Sequence, residues 1–431
     1  MTNAQIVEQD LKYIFHPCTQ MKDHESQLPL IPIKKAKGVY LYDFDGNRYL
    51  DAVSSWWVNL FGHSNSYINE KVKDQLETLE HIIFAGFTHE SALNVAKRLV
   101  KLTPKGLDKV FFADNGSSAV EIALKMSFQY FKNRGESRPI FVSLENSYHG
   151  ETMGALAVGD VKLYKEIYDE ILIKTIQAKS PSLHSEEEAL ADMRRVLSEN
   201  RGRVSSVIIE PLVQCAGSMA MYDATYITAL KKLCEEFNVH LIADEIAVGF
   251  GRTGSLFACE QAKITPDFLC LSKGITGGYL PLSVTMFSDE VYSAFYCDYN
   301  EGKSFLDSHS YTGNALACAA ANATLDIFEK DNVIEKNRET IELMSELLKE
   351  FNSLKHVKET RQRGMIAAIE LDEFPLNKRV NLEIYQYALK NEVLLRPLGN
   401  VVYFMPPYTM SKSEIEKMFK VAFDAITNLR Y

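Results

Sequence analysis

Between residues 65 and 330 helical patterns alternate with short apolar runs at 109–113, 139–144, 204–210, 239–244, 267–272 and 282–287. Runs this short and this rich in Val, Ile, Leu and Phe read as strands buried on both faces, and their alternation with helices predicts a mainly parallel sheet wrapped by helices. Such a sheet binds ligands beyond the carboxyl ends of its strands. Two of the runs finish on a charge that a buried sheet does not normally tolerate, one at Asp244 and the other at Lys273. If the two strands are joined by a crossover, these residues share one crevice. Either one alone would read more readily as a solvated strand end.

A chain of 431 residues is too long for one compact core,. The sheet pattern assigns 65–330 to a large domain, with 1–64 and 331–431 forming a smaller α+β domain from both termini. Residues 38–51 read as an antiparallel hairpin around Asp45-Gly46-Asn47, and 392–407 as two strands turning at Gly399-Asn400,. The net charge of -10 argues against nucleic acid and anionic membranes, leaving small molecules as the expected partners,. Seven scattered cysteines without C-x-x-C spacing suggest reduced thiols rather than a disulfide framework or a metal site,. With no secretion signal and no long apolar run in view, a cytoplasmic location is expected,.

A lysine amine forms a Schiff base with an aldehyde, and a carboxylate keeps a pyridine nitrogen protonated, so Lys273 and Asp244 together supply what pyridoxal phosphate needs. After the 109–113 run comes Asp114-Asn115-Gly116-Ser117-Ser118 and then a helical pattern. Free helix amides, a glycine and hydroxyls make a phosphate cradle. Ser118 and Glu121 also have capping-box spacing, so an ordinary helix start fits the same residues. After 139–144, Tyr148 is placed to stack on a flat heterocycle and Gly150 to allow close approach, against the plainer reading of a packed loop tyrosine,.

Gly249-Phe250-Gly251-Arg252-Thr253-Gly254 matches the dinucleotide fingerprint, but Asp244 to Val248 separate it from the strand and a poor crossover helix follows,. Loop glycines with Arg252 as a charged arm fit better. Arg396, within an apolar run, needs either an internal partner or a ligand carboxylate. Of Trp56 and Trp57, one should pack in the core and the other wall an apolar substrate channel,.

In this order the motifs resemble the class III, fold-type I pyridoxal-phosphate-dependent aminotransferases over nearly the whole chain. The matching segments are Asp114-Asn115-Gly116-Ser117, Tyr148-His149-Gly150, Ile208-Ile209-Glu210-Pro211, Ala243-Asp244-Glu245-Ile246 with the 249–254 loop, Leu271-Ser272-Lys273-Gly274 and His309-Ser310-Tyr311-Thr312-Gly313-Asn314. The resemblance implies an α/β fold with pyridoxal phosphate carried covalently on Lys273 and no metal. It places Asp244 at the pyridine nitrogen, Gly116 and Ser117 at the phosphate, and Tyr148 on the ring. His309 and Ser310 are similar to residues that reach the phosphate of a neighbouring subunit, which implies a homodimer with shared active sites.

Further segments resemble the branch of that class that serves biotin synthesis: His16-Pro17-Cys18-Thr19-Gln20-Met21, Val53-Ser54-Ser55-Trp56-Trp57, Thr88-His89-Glu90, and Arg396-Pro397-Leu398-Gly399 leading to Tyr403-Phe404-Met405-Pro406-Pro407. This implies ping-pong transfer of an amino group from S-adenosylmethionine to 7-keto-8-aminopelargonate, giving 7,8-diaminopelargonate. Trp56, Tyr148, Lys273, Ser308, Arg396 and Cys18 would line the substrate site. Cys18 stands where the family often has tyrosine or phenylalanine, which keeps lysine open as the donor. Another class III omega-aminotransferase is the neighbouring alternative.

Overall fold

The computed structural model describes residues 1 to 429. The chain forms two compact units, one of residues Tyr67–Ile334 and one of Met1–Ser66 with the described residues from Glu335 onward. Among the described residues no helix is long and apolar enough to cross a membrane.

The Tyr67–Ile334 unit is built on a seven-stranded sheet in the order Lys109–Ala113, Ser283–Phe287, Phe268–Leu271, His240–Asp244, Val204–Ile209, Ile140–Leu144, Ile176–Ala178. Only Ser283–Phe287 runs against the others, pairing antiparallel with both of its neighbours. The remaining pairs are parallel. All six expected runs are therefore strands, and the edge strand Ile176–Ala178 is added to them.

The inner strands are buried on both faces because helices cover them. From one face, the helix Gly116–Asn133 sends Ala119, Ile122, Ala123 and Met126 against Ile208, Ile242, Phe268 and Cys270. Ile242 and Phe268 are fully buried; each such side chain contributes about 1.5–3 kcal/mol by leaving water. This packing makes the sheet a rigid base for the loops at its carboxyl edge.

In the other unit the hairpin Tyr40–Asp43 and Arg48–Asp51 pairs in the register Tyr40↔Leu50, Leu41↔Tyr49, Tyr42↔Arg48. Its turn is closed by the Asp43 carboxylate, which accepts from the backbone N–H groups of Asn47 (2.8 Å) and Asp45 (3.1 Å),. The stretch 392–407 turns at Gly399-Asn400 as expected, Leu398 and Val401 bonding each other both ways at 2.8 and 2.9 Å, but its two strands do not pair beyond that bridge. Val393–Leu394 adds in parallel to Arg48–Asp51, whereas Val401–Phe404 joins a second sheet beside Ile366–Leu371. Pro397, which has no N–H to donate, lies in the irregular stretch between them,. Leu50, Val393, Val402, Phe404 and Ile369 share the core of this unit with Phe419 and Ala422 of the helix Lys412–Thr427.

Candidate active site

Asp244 is the last residue of its strand, in register with Cys270 of the parallel neighbour, and Lys273 follows that neighbour's end by two residues. The carboxyl edge of the sheet thus brings the two charged strand ends to one side. Lys273 begins a short turn, Lys273–Thr276, with φ at 44°. A non-glycine residue held in this left-handed region is strained, and such strain persists only where surrounding structure over-determines it.

The Asp244 carboxylate is buried and held at both oxygens. Oδ2 lies 2.8 Å from Nδ1 of His149, and Oδ1 accepts from the Ile246 N–H at 3.1 Å. Against a carboxylate, the His149 Nδ1 carries the proton. Its buried Nε2 has no hydrogen-bond partner among the described residues. Enclosure by protein pulls the Lys273 amine below the ordinary lysine value, opposed by Cys215, Asp244 and Glu210, which favour its cation,. More of the amine is therefore neutral, and so nucleophilic, near pH 7.

Glu210 follows the strand Val204–Ile209 and accepts from the backbone N–H groups of Tyr148 (2.9 Å) and Cys215 (3.0 Å). Burial pushes it up to about 7, with His149 opposing and Asp244 adding to the rise. By gripping the Tyr148 amide it fixes the start of the loop that carries His149. Neither the His149–Asp244 contact nor the Glu210 anchor emerges from sequence reasoning, although both residues lie in the motifs Tyr148-His149-Gly150 and Ile208-Ile209-Glu210-Pro211.

The 114–118 segment opens the helix Gly116–Asn133. Its cap is Asn115, whose side chain accepts from the Ser118 N–H at 3.0 Å, so Ser118 and Glu121 do not form the capping box their spacing allowed. Glu121 instead accepts from Thr152 Oγ1 (2.6 Å) and the N–H groups of Gly154 (2.7 Å) and Ala155 (3.1 Å), tying the next loop down. Ser117 Oγ accepts from the Glu151 N–H at 3.1 Å.

Two glycines are demanded by close approach. A Cβ on Gly116 would meet Ile246 Cγ2 at 2.9 Å, and one on Gly150, at φ +126°, would come within 2.8 Å of Ser117 Cβ. A helix N-terminus, a hydroxyl and glycines that admit a ligand to backbone range make a phosphate cradle.

Tyr148 is half-buried; its hydroxyl donates to Glu151 at 3.0 Å and its ring centroid lies 5.3 Å from that of Tyr164. His309 Nδ1 is 3.9 Å from the Asp114 carboxylate, beside the cradle of its own chain, and its buried Nε2 has no partner among the described residues. Ser308 and Ser310 flank it, and the Ser310 carbonyl bonds His81 Nε2 at 2.7 Å. The 249–254 loop is followed only by the one-turn helix Cys259–Ala262, so the dinucleotide fingerprint lacks its crossover helix. Arg252, expected as a charged arm, is instead 1% exposed.

Cys18, Trp56 and Arg396 come together in the other unit. Arg396 lies beyond the strand Val393–Leu394, with Cζ 5.8 Å from the Trp56 ring and a long 3.4 Å bond to the Cys18 carbonyl. Among the described residues no carboxylate pairs with it. Trp56 and Arg396 border a cavity of about 340 Å³ walled by Leu28, Ile31, Leu389 and Leu394, among others. Trp57 is the core tryptophan, donating from Nε1 to Tyr403 Oη at 3.1 Å, while Trp56 is 46% exposed.

Comparison with known proteins defines the class: the class III aminotransferase family model matches residues 21–426, and the chain belongs to that family. Within it, the chain is 50% identical over 428 residues to the adenosylmethionine-8-amino-7-oxononanoate aminotransferase of Helicobacter pylori, covering 98% of this chain and 97% of that one. It is 40% identical over 424 residues to the protein of the same name from Aquifex aeolicus, covering 94% and 93%.

The crystal structure of the Methanocaldococcus jannaschii protein of that name superposes with a TM-score of 0.96 at 39% identity, covering 99% of this chain and all of that one. An amine transaminase from an uncultivated Pseudomonas species, in its pyridoxal-phosphate-bound form, superposes at 0.89 with 29% identity, covering 96% and 98%. Pyridoxal phosphate is the cofactor of this class. The residues present fit it: the glycine cradle, the anchored Asp244, the unpartnered His149 Nε2 and the Lys273 amine shifted toward its neutral form.

Proposed function

We propose that the chain transfers an amino group to 7-keto-8-aminopelargonate, forming 7,8-diaminopelargonate for biotin synthesis, with S-adenosylmethionine as donor. The observation that carries this reading is Arg396, a guanidinium with no carboxylate partner among the described residues, set over the Trp56 ring at the border of an apolar cavity. A keto acid with a methylene chain offers a carboxylate to the first and apolar surface to the second. A sulfonium donor would also be favoured near the tryptophan face. The relatives' shared name, adenosylmethionine-8-amino-7-oxononanoate aminotransferase, supports the same pair of substrates.

When bound, pyridoxal phosphate supplies an electron sink for the carbon that loses its proton. The chain does the rest. Lys273 anchors the cofactor covalently and, once freed as a neutral amine, takes and returns the substrate proton. Asp244, held by His149, keeps a positive charge at the pyridine nitrogen. Gly116 and Ser117 would hold the phosphate, and Tyr148 would cover the ring and orient the substrate; Ser308 and Cys18 are the remaining residues proposed to meet the substrate.

In this reading the enzyme works in the cytoplasm as a homodimer, with residues 308–310 at the boundary, so that His309 and Ser310 serve the neighbouring copy. Support comes from the exposed apolar side chains on the same stretch, Leu306 at 93% and Tyr311 at 61%. Sedimentation at catalytic concentration tests it: a dimer is expected, and a monomer with full activity contradicts shared sites.

Arg396→Ala tests the substrate assignment. Loss of a charge-assisted contact of about 1.5–3 kcal/mol predicts a rise in the acceptor KM of roughly tenfold to a hundredfold. An unchanged KM for both substrates would remove Arg396 from the site.

A further inference from the structure

Four consecutive non-glycine residues, Ser54, Ser55, Trp56 and Trp57, have φ of 50°, 46°, 73° and 74°. Their ψ values, 52° at Ser55 and 47° at Trp56, complete a left-handed helical turn. L-residues enter this region singly and at a steric cost, and a run of four does not persist unless something outside it holds the backbone.

The restraints lie in the same unit. Asp51, fully buried, accepts from the Ser55 N–H at 2.9 Å and from Ser55 Oγ at 2.7 Å. Its Oδ2 also meets His63 Nε2 at 3.0 Å. His63 is oriented from behind, its Nδ1 lying 3.3 Å from Asn59 Nδ2 and its backbone bonded both ways to Gly38. Ser54 Oγ donates to the Met405 carbonyl at 2.7 Å. Within the turn itself, the N–H groups of Trp57 and Val58 bond the carbonyls of Val53 and Ser54 at 2.9 and 3.0 Å.

We propose that Asp51 and His63 are positioning residues: together they lock Ser54–Trp57 in its left-handed turn, which buries Trp57 and presents the Trp56 ring beside Arg396. The strain is stored where the substrate wall is made, and the buried carboxylate with its histidine keeps it there. Asp51 touches no substrate and acts only through the turn. The effect on the acceptor rests on the function proposed above; the lock itself does not.

The two tryptophans make the lock measurable without substrate, because acrylamide quenches exposed Trp56 and spares buried Trp57. In Asp51→Asn the anisotropy of the quenchable emission should fall, because the oxygen shared by Ser55 Oγ and His63 Nε2 becomes an NH2 group that cannot accept from either,. The acceptor KM should rise by about tenfold, the cost of one charge-assisted hydrogen bond, with kcat and cofactor absorbance nearly unchanged. Ser55→Gly, which suits positive φ, should restore the anisotropy in the Asp51→Asn background, because glycine removes the strain the carboxylate opposes.

If Asp51→Asn does not fold, His63→Gln should show the same shifts at smaller size. Unchanged anisotropy in a folded Asp51→Asn or His63→Gln protein overturns the lock. Lost anisotropy with an unchanged acceptor KM supports the lock and counts against the substrate reading instead.

Discussion

The Asp244 carboxylate and the His149 imidazole meet at 2.8 Å across 95 residues of chain, both buried. The contact joins the end of one strand to the loop after another, and it gives Asp244 a donor that water cannot replace. Glu210 completes the arrangement by holding the Tyr148 amide.

His149→Leu leaves the buried Asp244 carboxylate short of a partner. The penalty for such a group, about 1–3 kcal/mol, predicts a loss of cofactor affinity of roughly tenfold to a hundredfold. Titration of the cofactor-free protein with pyridoxal phosphate reads this directly, and an unchanged Kd contradicts the role given to the pair.

The downward shift of Lys273 has a pH consequence. A lysine whose amine is more neutral than usual captures an aldehyde at lower pH, so the rate of cofactor capture by the cofactor-free protein should rise with pH and level off below the ordinary lysine value of 10.5,. Stopped-flow absorbance from pH 6.5 to 10.5 checks it. A rate still climbing at the ordinary value contradicts the shift.

Glu245 accepts from the N–H groups of Ala258 (2.6 Å) and Cys259 (2.8 Å) and is fully buried, and burial pushes it up to about 7. Its ordinary value is 4.5. Between those values the folded chain keeps a proton that the unfolded chain releases, so this group's contribution falls as pH rises through the window and levels off above it. Urea midpoints at pH 5 and pH 7.5 should drop further in the wild type than in Glu245→Gln. An equal drop in both proteins contradicts the assignment.

Gly150 and Gly135 both have positive φ, but only Gly150 faces a neighbour. Gly135 has nothing within 4 Å of an added Cβ, whereas at Gly150 the Cβ would strike Ser117. Gly135→Ala should cost on the order of 1 kcal/mol through backbone strain alone. Gly150→Ala adds a backbone displacement at the cradle and should also weaken cofactor binding. Thermal melts with and without cofactor separate the two, and equal behaviour would show the cradle to be yielding.

Much of this architecture is legible in the sequence because buried parallel strands must be apolar on both faces. Those at 204–209 and 240–244, buried throughout and parallel to both neighbours, stand out for that reason. The edge strand Ile176–Ala178 does not, since Ile-Gln-Ala is too short to carry a pattern. Nor does composition reveal that Ser283–Phe287 runs in reverse, because antiparallel pairing inside a covered sheet needs the same side chains.

The motifs place Asp244 and Lys273 at strand ends and 114–117 at a helix start, where the fold has them. They are silent on His149, whose partner is set by tertiary packing. The left-handed turn at Ser54–Trp57 is equally hidden, because it contains no glycine and its restraint, His63, lies beyond it in the chain. The hairpin read at 392–407 is half realised: the local turn at Gly399-Asn400 forms, but the strands Val393–Leu394 and Val401–Phe404 pair with two separate sheets rather than with each other.

The most direct test of the central claim is a two-stage reaction in one cuvette. The cofactor-loaded protein is exposed to S-adenosylmethionine alone, cleared of it, and then given 7-keto-8-aminopelargonate, with absorbance and product mass followed throughout. The first substrate should bleach the lysine-bound cofactor's absorbance and the second should restore it while 7,8-diaminopelargonate appears. Bleaching by lysine but not by S-adenosylmethionine would move the donor assignment, and failure of the keto acid to restore the absorbance after any donor would contradict the proposed function itself.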